Sequence, residues 1–236
     1  MQIAILQPSY LPWLGYFDQM ARADVFVYLD DVQYTRRDWR NRNRIRTANG
    51  WMWLTVPVLS RGRFEQSIKD TRIDPSPVWK SKHLAALRHN YARAPFFDHY
   101  FNELSAVYGR GHAFLAELCY DLNDYLLRAL GIEVELRRAS EIRVEGKKAE
   151  RILSLCQAMG ADQYLTGDLA RDYLDAGAFE RAGIELAYQN YVHPEYRQQY
   201  SGFVSHLSVL DLLFNVGPRS LEILSSGRMQ AVEAAS

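Results

Sequence analysis

The chain has 236 residues, 28 Lys plus Arg against 28 Asp plus Glu, and 13% aromatic residues. Equal charge excludes a global field that would steer it to nucleic acid or an anionic membrane, and the length allows a sizeable core. Two cysteines, no apolar run of bilayer length and no leader-like N-terminus predict a cytoplasmic protein with free buried thiols and no membrane insertion.

In chain order, an apolar strand is predicted over residues 3–6. It runs into Gln7-Pro-Ser-Tyr-Leu-Pro-Trp-Leu-Gly-Tyr-Phe17 and a short helix. Pro8 and Pro12 fix two φ angles, and Gly15 offers backbone to a ligand near the free N–H groups of a helix start. A rigid turn with buried aromatics has the same composition. Residues 25–29 read as a second strand, ended by Asp30 and Asp31. A strand-end carboxylate binds a ribose hydroxyl, holds Mg²⁺, acts as a base, or serves as a plain loop cap. Side-chain alternation lets at most one of the pair face a site while the strand lasts. Gln33 and Tyr34 lead to a basic loop in which Arg36, Arg37, Arg40, Arg42, Arg44 and Arg46 alternate with Trp39, Asn41 and Asn43. Guanidinium forks suit phosphate or carboxylate, although a charged loop is also simply well solvated.

A third strand is predicted over 52–58, a flexible loop over 61–65 and a short edge strand over 68–73. Helical spacing marks 79–91, 96–108 and 113–130, the last stopped by Gly131. Strands at 132–136, 163–166 and 184–191 then alternate with helices at 147–159, from 170 to 176, at 207–214 and at 218–224. This order predicts an α/β fold: a mostly parallel open sheet, Rossmann-like, with a helical insertion or cap. One domain covers residues 1–224, the insertion about 79–130, and residues 225–236 form a flexible tail.

Ligands of open α/β sheets bind at the carboxyl ends of the strands. Asp30, Asp31 and His193 are therefore the catalytic candidates, His193 because it titrates near neutral pH and is held extended by Pro194. The binding candidates are Gln7, Tyr10, Trp13, Gly15, Gln33, Arg36, Trp39, Asn41, Arg42, Asn43, Arg44, Tyr164, Gly167, Tyr191 and Tyr196. No G-x-S-x-G elbow, P-loop or paired-cysteine zinc pattern is present, and the sequence specifies neither a metal nor a cofactor.

The motifs Gln7 to Phe17, Asp30-Asp-Val-Gln-Tyr34, Trp39-Arg-Asn-Arg-Asn43, Leu54-Thr-Val-Pro57, His193-Pro-Glu-Tyr196 and residues 207–217 together resemble the WbqC-like protein family, over roughly residues 1–224. The resemblance implies a bacterial source and a role beside O-antigen and other surface-polysaccharide genes. The activity it implies is transfer of glycine, or a similar acyl group, to an amino sugar. It carries no catalytic residue across. Residues 6–33 also resemble the first βαβ unit of HIGH-type nucleotidyltransferases, pantothenate synthetase especially, through the loop and Ala21-Arg-Ala-Asp-Val25. No histidine precedes His83, so the paired histidines of that group are missing and their adenylyl transfer is not implied. The expected partner is a small molecule, a phosphate-bearing sugar or an activated acyl donor, without extensive nucleic-acid contact. A non-catalytic nucleotide or sugar-phosphate module, or use of aminoacyl-tRNA as donor, are the competing expectations.

Overall fold

Short apolar runs that must be covered on both faces favour parallel pairing. The computed structural model has such a sheet, and it describes residues 1–234, with side-chain surroundings for residues 1–228. In chain order the elements are β1 (Gln2–Leu6), α1 (Leu14–Arg22), β2 (Val25–Tyr28), β3 (Arg42–Thr47), β4 (Gly50–Thr55), α2 (Val78–Tyr91), α3 (Phe97–Gly109) and α4 (Leu115–Leu130). They continue with β5 (Glu135–Arg138), α5 (Lys148–Ala158), β6 (Gln163–Thr166), α6 (Ala176–Arg181), β7 (Glu185–Tyr188), α7 (Val209–Val216) and α8 (Ser220–Ala234).

Five strands form one parallel sheet in the spatial order β5-β2-β1-β6-β7. The chain starts in the middle, winds outward to one edge, then returns to build the other half beyond β1. This is a Rossmann-like order, and its direction reverses between β1 and β6. Alternation sorts the side chains: Ile3, Ile5, Val25, Val27 and Tyr164 pack under α5 and α6. Ala4, Phe26, Tyr28 and Leu165 meet a larger core with α1, α4 and α7. Helices α2 to α4 extend that second core, through Trp79, Leu87, Tyr91, Phe97 and Leu104.

The sheet, the three long helices and strand 163–166 agree with expectation, and several details do not. The stretch read as a basic loop contains β3, and the predicted third strand is β4. The two pair antiparallel as a separate hairpin through the Ala48-Asn49 turn, with Gly50 at φ +119°. Residues 68–73 make isolated bridges, not an edge strand. β5 starts three residues late because Ile132 belongs to the end of α4: its N–H bonds the Leu127 carbonyl beyond left-handed Gly131. The helix expected from residue 170 is a single 3₁₀ turn, and α6 starts after Asp175, whose carboxylate accepts from Ala178 N at 3.2 Å. The last helix runs on to Ala234 instead of stopping at 224, through most of the expected tail; residues 235–236 lie outside the described residues.

A buried carboxylate joins hairpin, helices and the segment before α7. Asp211 accepts from Tyr91 Oη at 2.8 Å, Tyr196 Oη at 2.9 Å and Gln198 Nε2 at 2.8 Å. Tyr91 Oη in turn accepts from Arg46 N of β3. Burial pushes the Asp211 carboxyl up to about 6, opposed by these donors. Asp211→Ala strands three neutral donors at about 1–3 kcal/mol each, and we expect a loss of at least about 3 kcal/mol in denaturant unfolding. A loss under about 1 kcal/mol would show that the network is dispensable.

Burial also pushes His83 and His193 down to about 4. Each binds its proton less readily folded than unfolded, near 6.5, so each contributes stability at neutral pH that is lost as pH falls from about 6.5 through 4. Asp211 has the opposite sign and offsets part of that loss below about 6. The melting temperature is expected to fall over this interval, and His83→Gln to flatten the fall. An unchanged slope in that variant would remove His83 from the account.

Candidate functional site

The principal cavity, about 490 Å³, opens where the strand order reverses, at the carboxyl ends of β1 and β6. Doubly wound sheets bind ligands at this crevice because neighbouring connections leave in opposite directions and part the loops. Gln7, Trp13, Trp39, Asn43, Tyr164, Gly167 and Tyr191 line it together, as do Ser9, Gln19, Arg40, Asp168 and Gln189, which were not among the candidates.

The loop after β1 is clamped from three sides. Tyr10 N donates to Trp39 O at 3.1 Å, Asn43 Nδ2 donates to Leu11 O at 2.7 Å, and Val209 N donates to Pro12 O at 2.8 Å. Arg40 Nε donates to Gln7 Oε1, which turns that guanidinium to the cavity wall. Gly15 has a different use from the one expected. A Cβ there would meet the Trp13 indole at 2.3 Å, so the glycine seats a ring and the space beside it is not open to a phosphate.

A buried amide pair forms the floor. Gln189 Nε2 donates to Gly15 O at 2.7 Å and to Asp18 Oδ2 at 2.9 Å. Gln19 Nε2 donates to Gln189 Oε1 at 2.9 Å, leaving Gln19 Oε1 buried with no partner. An unpaired carbonyl oxygen in a cavity wall asks for a ligand hydroxyl or amine. Asp18 is fully buried and is neutralised by Arg22 at 3.7 Å and by Arg228. The burial of Asp18 beneath this floor was legible in sequence, since it sits four residues after Leu14, on the face that helical period turns inward.

The other candidates divide among three places. Tyr10 is in the core, bonded to His83 Nδ1 at 2.8 Å and to Tyr108. Asn41 is also buried, donating to Val56 O at 2.8 Å. Asp30 accepts from Ser140 N at 2.9 Å, Ser140 Oγ at 2.7 Å and Tyr120 Oη at 2.9 Å, so it fastens the end of β2 to the turn after β5. Asp31 pairs with Arg151, while Gln33 and Arg36 hold the 60–64 loop by its carbonyls. None of Asp30, Asp31, Gln33 or Arg36 lines the cavity.

His193 stands behind Trp13. The two rings stack at 6.2 Å and 15°, and His206 stacks on the same indole at 5.1 Å. His193 Nδ1 donates to Pro194 O at 3.0 Å; Nε2 is buried without a partner. Burial, then repulsion from His206, pushes its pKa down to about 4, so it is neutral at pH 7. Tyr196 is committed to Asp211. Arg42 and Arg44 lie on the outer face of the hairpin against tryptophans, and Arg44 Nη2 reaches His206 O at 3.0 Å. The proline loop, the arginine stretch and the histidine-proline element therefore do meet, but through Trp13, Trp39 and Asn43 rather than through acid–base groups.

Fold and cleft define a Rossmann-like α/β protein with a small-molecule-sized crevice at its switch point. The chain belongs to the WbqC-like protein family, whose model matches residues 7–223. It is 40% identical over 225 residues to Rv1507c of Mycobacterium tuberculosis, a protein named as uncharacterized, covering 94% of this chain and 97% of that one. No solved structure matches it. Among the described residues no helix is long and apolar enough to cross a membrane.

Gly15→Ala forces the Trp13 indole out of its seat, and a cost of about 1–3 kcal/mol in stability is expected together with a changed tryptophan emission. An unshifted spectrum and melting point would mean that the ring has room elsewhere.

Proposed function

We propose that the switch-point cleft holds the sugar of an activated or phosphorylated amino sugar, and that the protein is a sugar-modifying transferase of bacterial surface-polysaccharide biosynthesis. The reaction proposed is transfer of glycine or another acyl or aminoacyl group to the sugar amine. The observation that carries this reading is the lining of the cavity, aromatic rings together with Gln7, Ser9, Gln19, Asn43 and Gln189. Aromatic faces with a few amides and hydroxyls fit a polyhydroxylated ring, whose C–H face stacks while its hydroxyls need both donors and acceptors. The WbqC-like resemblance supplies the acyl-transfer class.

In this reading the amine nitrogen attacks the activated acyl carbon, the activating group departs with the bonding pair, and the nitrogen loses one proton. Asp168, the carboxylate of the cavity wall, accepts that proton. Its Oδ1 already accepts from Asn190 N at 3.1 Å, which fixes the group. Gln19 Oε1 takes a hydroxyl hydrogen of the sugar.

A second reading, a binding module without chemistry, is favoured by one observation: Asp30, Asp31 and His193 all lie outside the cavity lining. The two readings separate by experiment. Mass spectrometry of the surface polysaccharide with and without the gene is expected to differ by one acyl or aminoacyl group. Asp168→Asn is expected to lower transfer at least about 100-fold with sugar affinity nearly kept. Gln19→Ala is expected to weaken sugar binding about 5- to 30-fold. Polysaccharide of unchanged mass, with sugar binding intact, would favour the module over the transferase.

A further inference from the structure

The hairpin carries more than a wall of the cleft. On its outer face Arg42 lies 4.1 Å from the centroid of Trp53, and Arg44 lies 5.1 Å from Trp51 and 5.6 Å from Trp39. Register explains the interleaving: Arg44 is paired with Trp53 and Arg46 with Trp51, so arginines of β3 and indoles of β4 share one face. Trp39 and Trp51 are 41% and 45% exposed, a high fraction for indole. A groove of about 280 Å³ runs between Arg37, Trp39, Arg42, Arg44 and Trp53. Trp39 is also a wall of the switch-point cavity, so the two spaces adjoin through one side chain.

The charge on this face is uncompensated. The chain has as many acids as bases, yet among the described residues Arg37, Arg42 and Arg44 form no ion pair. The carboxylate in the groove, Asp38, is paired with Arg40. Arg42 and Arg44 are steered only by backbone carbonyls, those of Arg37 and His206, and the Nε of each is buried without a partner. Cation–π contacts would stiffen a hairpin with one carboxylate per arginine just as well. Cations left without counter-ions beside exposed indoles suit a ligand that brings both anionic oxygens and a π-face.

We propose that this face is a nucleoside diphosphate subsite. A nucleobase stacks in the groove between Trp39 and Trp53, and the diphosphate is held by the forks of Arg42 and Arg44, which leave one strand face about 7 Å apart. The sugar joined to that diphosphate passes Trp39 into the cleft. The inference rests on the cleft being the sugar site and names the activating group of its substrate. The groove has room for one base, and the neutral chain offers no continued positive track for a nucleic-acid strand.

The test is titration of the full chain by calorimetry and tryptophan fluorescence with UDP, GDP, CDP and ADP, with inorganic pyrophosphate, and with a single-stranded oligoribonucleotide. At least one nucleoside diphosphate is expected to bind and quench, and pyrophosphate to bind about tenfold more weakly, the base contributing by stacking. Trp53→Ala and Arg42→Ala are each expected to weaken that nucleotide about tenfold while the melting temperature shows the fold retained. Arg42→Lys keeps the charge without the fork and is expected to recover only part of the loss. Absence of binding by all four nucleotides, pyrophosphate binding as well as they do, indifference to both substitutions, or an oligoribonucleotide that binds more tightly would each overturn the proposal. Transfer that persists without nucleotide binding would sink the subsite and spare the transferase; nucleotide binding without transfer would do the reverse.

Discussion

Every feature of the cleft depends on the conformation of the loop between β1 and α1. Leu11 is fully buried at φ +45°, in the left-handed region, and it precedes a proline that favours extended backbone. Such a residue costs on the order of 1–3 kcal/mol and persists only where its surroundings over-determine it. Here they do so by hydrogen bonds from hairpin and helix to consecutive carbonyls, Asn43 to Leu11 and Val209 to Pro12, with the Tyr10 ring anchored in the helical core. The strain is the means by which segments distant in sequence are brought to one rim of the sheet.

From that clamp the rest of the site follows. With its base fixed to the loop, the hairpin presents Asn43 inward and Arg42 and Arg44 outward, and Trp39, just before it, borders both the cleft and the outer groove. Trp13, at the loop's end, lies back over Gly15 and is backed by His193 and His206. The histidines therefore act as packing for an indole that faces the cavity. The neutral state of His193 at pH 7 suits that use, since a charge on its buried Nε2 would be poorly solvated there.

Much of the fold was legible because the central strands β1, β2 and β6 are short apolar runs between loops, and because the long helices keep one apolar stripe. The hairpin was hidden by its own chemistry. Arg42, Arg44 and Arg46 alternate with Asn43 and Ile45 at period two, but the density of charge looks like a solvated loop. Gly50, which follows the Ala48-Asn49 turn at φ +119°, was the turn signal there to be read. Loops of the sheet rim were recognised as the place of the site, and residues such as Gln7, Trp13, Trp39 and Tyr191 do line it. Gln19 and Gln189 were missed because an amide carries no charge or motif, and only its burial in three dimensions marks it.

The misplaced candidates share a physical cause. Acidic residues at strand ends stand where chain direction changes and backbone donors are left over, so folding consumes them first. Asp30 binds Ser140 and Tyr120, and Asp31 binds Arg151. An isolated buried carboxylate is costly, and pairing it within the chain removes it from the pool available for a ligand. Arginine obeys a weaker constraint, since its broad, poorly hydrated fork can rest on an indole without a counter-ion. In a chain of zero net charge, an acid satisfied by neutral donors, as Asp30 is by Ser140 and Tyr120, leaves a cation without a counter-ion, and Arg42 and Arg44 on the hairpin beside the cleft have none among the described residues. Arginines without counter-ions thus survive folding as free charge, whereas the acids that first draw attention are consumed by the fold.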